Sequence, residues 1–405
     1  MIKSTFFTGQ PIFNQVLSFI PRSLVNTISR AHKADRYCKR FGTYEHLVTM
    51  LYGVFNNCTS LREVSTGMLA WDQRIKHLGI NHHSRRSTIS DANNRRKEAV
   101  FGAIYKELLS RYSGLLSDSR LSSRFRKLYI IDSTTVTLFS EVLRGTGLVN
   151  HNGKRKGGVK VHTVIRSDQD VPDMIRFSEA KSNDAQFLKQ VKLPEGSVIV
   201  FDKGYPDYKS YNRFTSEKVS WITRLRKRTV YKKIKGRAVD KKYAELGILS
   251  DTEVMLGNHH HKTAVKVRAR LIRYKEPQTK KEFEFLTNNQ RLSPLTVANY
   301  YKKRWQIELL FKRLKQNFPL KYFLGDSENA IKIQIWCVLI ADLLLKIIKK
   351  GSSSKMSFSN LASLVRLHLM TYMSLSAFLK APEKELINRL KNSPPQNNLP
   401  SLFPT

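Results

Sequence analysis

Val198-Ile199-Val200-Phe201-Asp202 is a run of four apolar residues that ends on a carboxylate. An apolar run without alternation is the pattern of a strand buried on both faces. Leu128-Tyr129-Ile130-Ile131-Asp132 has the same form. A carboxylate beside so apolar a strand is costly unless something satisfies it. A single Asp of this kind can pair with a buried Arg or cap a turn. Two of them on one sheet repel each other, and a divalent cation is the natural remedy. Asp132 and Asp202 are therefore candidate metal ligands.

Working outward, Val136, Leu138 and Phe139 continue the first strand, and residues 159–165 and 172–177 read as two more. Residues 183–191 and 208–218 have helical patterns, and 221–225 is again strand-like. Three strands followed by alternating helix and strand predict a mixed α/β sheet. Upstream, Phe13, Val16, Leu17 and Ile20 recur at helical spacing, as do Tyr44, Leu47, Val48, Leu51 and Phe55. Residues 60–70 and 90–112 are a further helical pair, joined by a connection that contains Arg85 and Arg86. This is either a helix-turn-helix-like DNA reader with a long connection or a plain helical bundle.

Residues 227–290 differ in character. Val265, Val267, Ala269 and Leu271 alternate with Lys266, Arg268 and Arg270, which predicts a strand with one apolar and one cationic face. Phe283, Phe285 and Leu286 suggest its partner. Residues 224–242 carry ten Lys or Arg against one acid, Asp240, so a DNA-backbone surface is expected here, with Lys266, Arg268 and Arg270 turned outward. From Ser293 the pattern is helical to about residue 389, and the Pro/Asn-rich end is expected to be a disordered tail.

The whole chain of 405 residues has 71 Lys and Arg against 32 Asp and Glu, a formal charge of +39. Such a charge favours a polyanion as partner, and nucleic acid is the obvious one. The longest apolar run, residues 335–345, contains Asp342 and is too short to span a bilayer. No apolar leader is seen, because Gln10, Pro11, Asn14 and Gln15 interrupt the N-terminal stretch. Cys38, Cys58 and Cys337 form no C-x-x-C pair, which speaks for a reducing compartment and against a zinc ribbon. A cytoplasmic, nucleoid-associated protein without a membrane partner is expected.

The third acid comes from a helix expected over residues 293–317, opened by Ser293 and Pro294 and stopped by Pro319. At about 100° per residue, Tyr301, Arg304, Glu308 and Lys315 project within roughly 60° of one another. Lys312 joins that border, beside an apolar stripe of Ile307, Leu310, Leu314 and Phe318. The plainer reading of Arg304 and Glu308 is a surface ion pair at i, i+4.

Tyr301-x2-Arg304-x3-Glu308-x6-Lys315 resembles the Y-x2-R-x3-E-x6-K signature of the transposase family named for insertion sequence four. Ile131-Asp132-Ser133-Thr134, Asp202-Lys203-Gly204-Tyr205 and Thr287-Asn288-Asn289 are similar to that family's other motifs, and so are His32-x2-Asp35-Arg36-Tyr37 and Ser60-Leu61-Arg62-Glu63. The resemblance implies an α/β fold: an RNase H-like catalytic domain interrupted by a β-rich insertion, with an N-terminal helical domain and C-terminal helices. The expected layout is a DNA-binding domain over 1–120, the catalytic core over 121–226 and 291–325, the insertion over 227–290, C-terminal helices over 326–391 and a tail over 392–405. The catalytic and metal-binding residues implied are Asp132, Asp202 and Glu308, with two Mg2+ ions and Mn2+ able to substitute. Tyr301, Arg304, Lys315 and Lys312 would hold phosphates. The implied partners are double-stranded DNA, at the element ends and the target, and a second copy of the chain in a synaptic dimer. A nuclease or resolvase without strand transfer and a catalytically silent regulator are the rival readings.

His162 either faces the site or is a satisfied sheet histidine. His259-His260-His261 reads as a solvated loop and Trp305 as a packing residue, while Lys154, Arg155 and Lys156 are a solvated turn or a DNA contact. The tryptophans are 71, 221, 305 and 336, so the insertion has none to stack on a flipped base. Tyr231, Tyr274 or Phe283 would have to substitute, and a hairpin step is open.

Overall fold

The computed structural model describes residues 9–118, 127–137, 158–179, 184–257, 265–352 and 354–381, together with 383 and 387. The chain divides into two compact units, Met1–Ala92 with Ile340–Thr405, and Asn93–Leu339.

The first unit is helical. Its helix Thr43–Phe55 is buried along nearly its whole length, which suits a sequence as apolar as Leu47-Val48-Thr49-Met50-Leu51. Gln15 ties distant parts of the unit together: its amide donates to the Met373 carbonyl at 2.5 Å and accepts from the Leu375 N–H at 2.8 Å. Helix Leu61–Ala70 starts where expected, because the Ser60 hydroxyl accepts the Glu63 N–H. A short helix, Asp72–Ile75, and a 3₁₀ turn, Lys76–Leu78, then precede helix Arg86–Arg95. The connection is thus a structured segment and not the tight turn of a helix-turn-helix.

The second unit is built on one nine-stranded sheet: β1 (Leu128–Thr137), β2 (Gly158–Arg166), β3 (Pro172–Glu179), β4 (Val198–Phe201), β5 (Ser220–Arg224), β6 (Tyr231–Arg237), β7 (Ile248–Leu256), β8 (Val267–Lys275) and β9 (Glu282–Thr287). Their order is β3-β2-β1-β4-β5-β9-β8-β7-β6. β1 runs antiparallel to β2 and parallel to β4, and β4 parallel to β5. The mixed α/β sheet read from sequence is therefore present. The strands of residues 227–290 extend it through antiparallel pairing of β9 with β5, Ile222 opposite Thr287.

Both faces of the sheet are covered, as the apolar runs require. Ile131, Ile199, Phe201, Phe214 and Trp221 pack in one core, while Leu128, Val198, Val200, Ile222 and Val297 pack in the other. Alternate residues of β4 thus serve opposite layers. The helical patterns at 183–191 and 208–218 appear as Ala185–Leu188 and Tyr208–Ser216. Leu138, Phe139, Lys154, Arg155, Lys156, Asn183, the His259–His261 triplet and the tail lie outside the described residues. Among the described residues, no helix is long and apolar enough to cross a membrane.

Candidate active site

Register places the two aspartates. β1 and β4 are parallel neighbours with Ile131 opposite Phe201, so the next residues, Asp132 and Asp202, emerge side by side on the same face. Adjacent strands lie about 4.8 Å apart, which brings the carboxylates into electrostatic contact. That face is the one covered by helix Pro294–Lys302, whose Val297, Ala298, Tyr300 and Tyr301 share a core with Val198 and Val200. The Asp132 side chain keeps 21% of its exposure. Burial pushes its carboxyl up to about 6, the Ser133 N–H and Arg304 oppose that rise, and the charges of Asp202 and Glu308 add to it.

The helix expected over 293–317 is two helices, Pro294–Lys302 and Trp305–Asn317. Ser293 caps the first as predicted, its hydroxyl accepting from Thr296 N–H. At the junction the hydrogen bonds shorten to i→i−3: Arg304 N–H reaches Tyr301 O at 2.9 Å and Ile307 N–H reaches Arg304 O at 3.2 Å. This 3₁₀-like turn shifts Tyr301 away from the projection that an unbroken α-helix would give it. The result divides the side chains between the two aspartates. The Tyr301 hydroxyl donates to Asp202 Oδ1 at 3.1 Å. Burial raises its pKa far above the ordinary tyrosine value, so it stays a donor. Arg304 instead turns to Asp132, Nη1 to Oδ2 at 3.5 Å, and to Glu308, Nη2 to Oε1 at 2.5 Å.

Arg304 therefore lies between two carboxylates with its side chain only 17% exposed. Its Nε is buried without a hydrogen-bond partner. The surface-pair reading fails, because an exposed i, i+4 pair would not reach a strand residue. Glu308 is joined to the Asp pair through the guanidinium and not directly. Among the described residues, no three His, Cys, Asp or Glu side chains converge closely enough to hold a metal ion. Helix Trp305–Asn317 is fixed from the other side by Gln306, which accepts from Ser167 Oγ at 2.9 Å, and by Arg313, whose Nη1 donates to Asp170 at 2.7 Å.

Lys312 and Lys315 are exposed on this helix, one and two turns beyond Glu308. Lys266 and Arg268 face outward, although Arg268 is paired with Glu253. Arg270 does not face outward, and this corrects the expectation of a uniformly cationic strand face. It is 3% exposed, forms a bidentate pair with Asp251, and donates to the carbonyls of Asn289 and Leu292. The apolar and cationic alternation misled because this sheet is covered on both faces there. Trp305 is a second correction: at 58% exposure it is not a packing residue.

His162 pairs with Ser133 across β1 and β2, so it lies on the face opposite Asp132. It stacks on Phe187, and its Nε2 is 2.8 Å from Ser178 Oγ. It is a buried sheet histidine, satisfied at Nε2 only: its Nδ1 is buried without a hydrogen-bond partner, 3.6 Å from Asp184 Oδ1. Sequence reasoning missed the polar group beside it. Asp184 accepts from Ser133 at 2.9 Å and lies 3.2 Å from Lys160, so it anchors the residue that follows Asp132. No motif spacing links positions 133, 160 and 184; only the strand register brings them together.

The sequence model described as Transposase DDE domain matches residues 123–344. One described as Domain of unknown function (DUF4372) matches residues 8–81. A Sinorhizobium fredii protein designated transposase y4zB is 29% identical over 298 residues, covering 73% of this chain and 80% of its own length. A Synechocystis protein designated transposase for insertion sequence element IS4SA is 27% identical over 270 residues, covering 65% and 71%. Among solved structures, a piggyBac transposase synaptic complex with hairpin DNA covers 97% of this chain and 86% of that one at a TM-score of 0.44 and 11% identity, too loose a likeness to argue from.

Proposed function

The chain belongs to the DDE transposase family, and from that premise we propose that Asp132, Asp202 and Glu308 are its three catalytic carboxylates. It is an enzyme of DNA cleavage and strand transfer, and DNA is its partner. The observation that carries the assignment is local. Two aspartates stand side by side on parallel strands, and an arginine from the late helix links one of them to Glu308.

Within the family, the Y-x2-R-x3-E-x6-K spacing of Tyr301, Arg304, Glu308 and Lys315 supports membership of the insertion sequence four group. The β3-β2-β1-β4-β5 half of the sheet, antiparallel then parallel, supports an RNase H-like core with residues 227–290 inserted into it. The layout proposed with it is DNA-binding over 1–120, core over 121–226 and 291–325, and helices over 326–391.

The donor set suits a hard divalent cation. It is all oxygen, and the charges of Asp202 and Glu308, which add to the effect of burial on Asp132, are what such an ion would offset. Asp132 and Asp202 would hold it, joined by Glu308 once that side chain is released from its pair with Arg304. Magnesium fits best, and it would supply activation of a water or DNA 3′-OH and stabilisation of the leaving oxygen. The protein's own residues do the rest. Tyr301 orients Asp202 by its hydrogen bond, and Arg304 offers a planar fork beside the reacting centre to a phosphate. Lys312 and Lys315 extend positive charge along the same helix, and Lys266 and Arg268 contact backbone phosphates further off. A synaptic dimer of the cytoplasmic protein would bring two element ends together.

A direct test supplies a labelled duplex that ends in the DNA flanking the gene, with Mg2+ and a target plasmid. Joined product is expected. Cut ends that are never joined would favour the nuclease reading.

A further inference from the structure

Beside Asp202 lies a cleft of about 650 Å³, lined by Asp202, Lys203, Gly204, Pro206, Arg226 and Lys227. A second hollow of about 450 Å³ shares Lys203, Pro206, Arg226 and Lys227 with it, and runs on past Arg224 and Arg228. The two walls are the loop that follows β4 and the turn that follows β5. Among the described residues that line them, Asp202 is the only acid; the rest of the charge is positive.

These cations differ from the arginines of β8. Arg268 is matched by Glu253, Arg270 by Asp251, and Arg273 by Glu282 and Glu284. Lys203, Arg226, Lys227 and Arg228 are exposed, and among the described residues none has a carboxylate partner. Unmatched like charges crowded round a concavity repel one another unless an anion is shared between them.

The turn that presents them is firmly held. Thr229 N–H and Thr229 Oγ1 both bond to the Arg226 carbonyl, at 3.1 and 2.6 Å. Leu225 N–H reaches Glu284 O at 2.8 Å, and Gly257 N–H reaches Val230 O at 3.1 Å. Arg228 takes φ +64°, at a turn position where glycine or asparagine normally supplies positive φ. A long cation in a strained conformation, on a turn tied at both ends, aims three adjacent charges at one hollow.

We propose that this cleft binds the phosphodiester backbone of the DNA strand that leads to Asp202, with Arg226, Lys227 and Arg228 as phosphate contacts and Lys203 at the mouth. The inference rests on Asp202 being one of the catalytic carboxylates. An acidic segment of a protein partner is the competing occupant.

The test compares the full-length R226Q/K227Q/R228Q variant with a control of equal charge change, K189Q/K192Q/K321Q, at exposed positions away from the cleft. The probes are a fluorescein-labelled 30-base-pair duplex of about that length, cut from the DNA flanking the gene, and a supercoiled plasmid that carries the gene with its flanks. The cleft variant should lose about two to three units from the slope of log K against log salt, at ~0.9 per phosphate contact. With DNA saturating, it should also nick the plasmid roughly tenfold more slowly or worse, because the strand is no longer positioned. The control should keep the wild-type nicking rate and most of the slope. Equal losses in both variants, or a wild-type slope and rate in the cleft variant, would overturn the proposal. So would normal DNA binding and nicking combined with loss of self-association in sedimentation. Asp202→Asn separates the two levels. If it still nicks while the cleft variant loses slope, the catalytic assignment falls and the DNA contact stands. If it is inactive while the slope is unchanged, the cleft falls and the assignment stands.

Discussion

Nη2 of Arg304 lies 2.5 Å from Oε1 of Glu308, one helical turn further along the same helix. Taken alone, this is an i, i+4 pair worth a few tenths of a kcal/mol. The same guanidinium also reaches Asp132 on β1, so its loss would disturb the proposed reacting centre as well as the helix. Arg304→Ala should therefore lower turnover, and Arg304→Lys should fail too, because a point charge cannot reproduce the fork. A rate loss of roughly ten- to a thousandfold is expected for both variants, measured with metal and DNA saturating. Wild-type turnover by the Lys variant would remove Arg304 from the reaction.

Lys266, Arg268 and Arg270 come from one strand but should behave differently. Lys266→Gln with Arg268→Gln should weaken DNA binding across sequences and flatten its salt dependence, since fewer counterions are released. Arg270→Gln should instead destabilise the fold. It leaves Asp251 buried without its partner, at a cost on the order of 3–5 kcal/mol. Urea unfolding and a salt titration on the same proteins separate the two effects. A stable Arg270→Gln protein with a reduced salt slope would return that residue to the DNA surface.

His162 gives the protein a dependence on pH. Burial pushes its imidazole down to about 4 from 6.5, with Asp184 opposing the shift and Lys160 and Arg176 adding to it. Below pH 6.5 the unfolded chain takes up a proton that the folded chain refuses. Stability is therefore full above about 6.5, falls as pH drops toward 4, and levels off below that. The loss is on the order of 3 kcal/mol, at 1.36 kcal/mol per unit. Urea unfolding of His162→Gln should show a shallower decline over this range. Parallel curves for wild type and variant would show that other groups set the acid slope.

How much of this was legible in the sequence varies from residue to residue. Asp132 and Asp202 were legible, because an apolar strand with a terminal carboxylate is a local anomaly that needs no partner to be seen. Their adjacency was not; it follows from the Ile131–Phe201 register, which is fixed only when β1 and β4 pair. The junction at Lys303 and Arg304 was hidden for a similar reason. Every residue there tolerates a helix, and the 3₁₀-like tightening accompanies contacts to Asp202 and Asp132. Arg270 was misread because alternation reports two faces but not which of them is covered. Trp305 was misread because large aromatics are usually buried, whereas helix Trp305–Asn317 turns this one outward.

The central claim is that Asp132, Asp202 and Glu308 act together as catalytic carboxylates. The most direct measurement is metal-dependent cleavage of DNA carrying the gene's flanking sequence by Asp132→Asn, Asp202→Asn and Glu308→Gln, alongside the affinity of each protein for the same DNA. All three should lose cleavage by about a thousandfold or more while binding stays within about twofold of wild type, since the change removes only reaction-specific stabilisation. Wild-type cleavage by any one of the three, with its DNA affinity intact, would contradict the account.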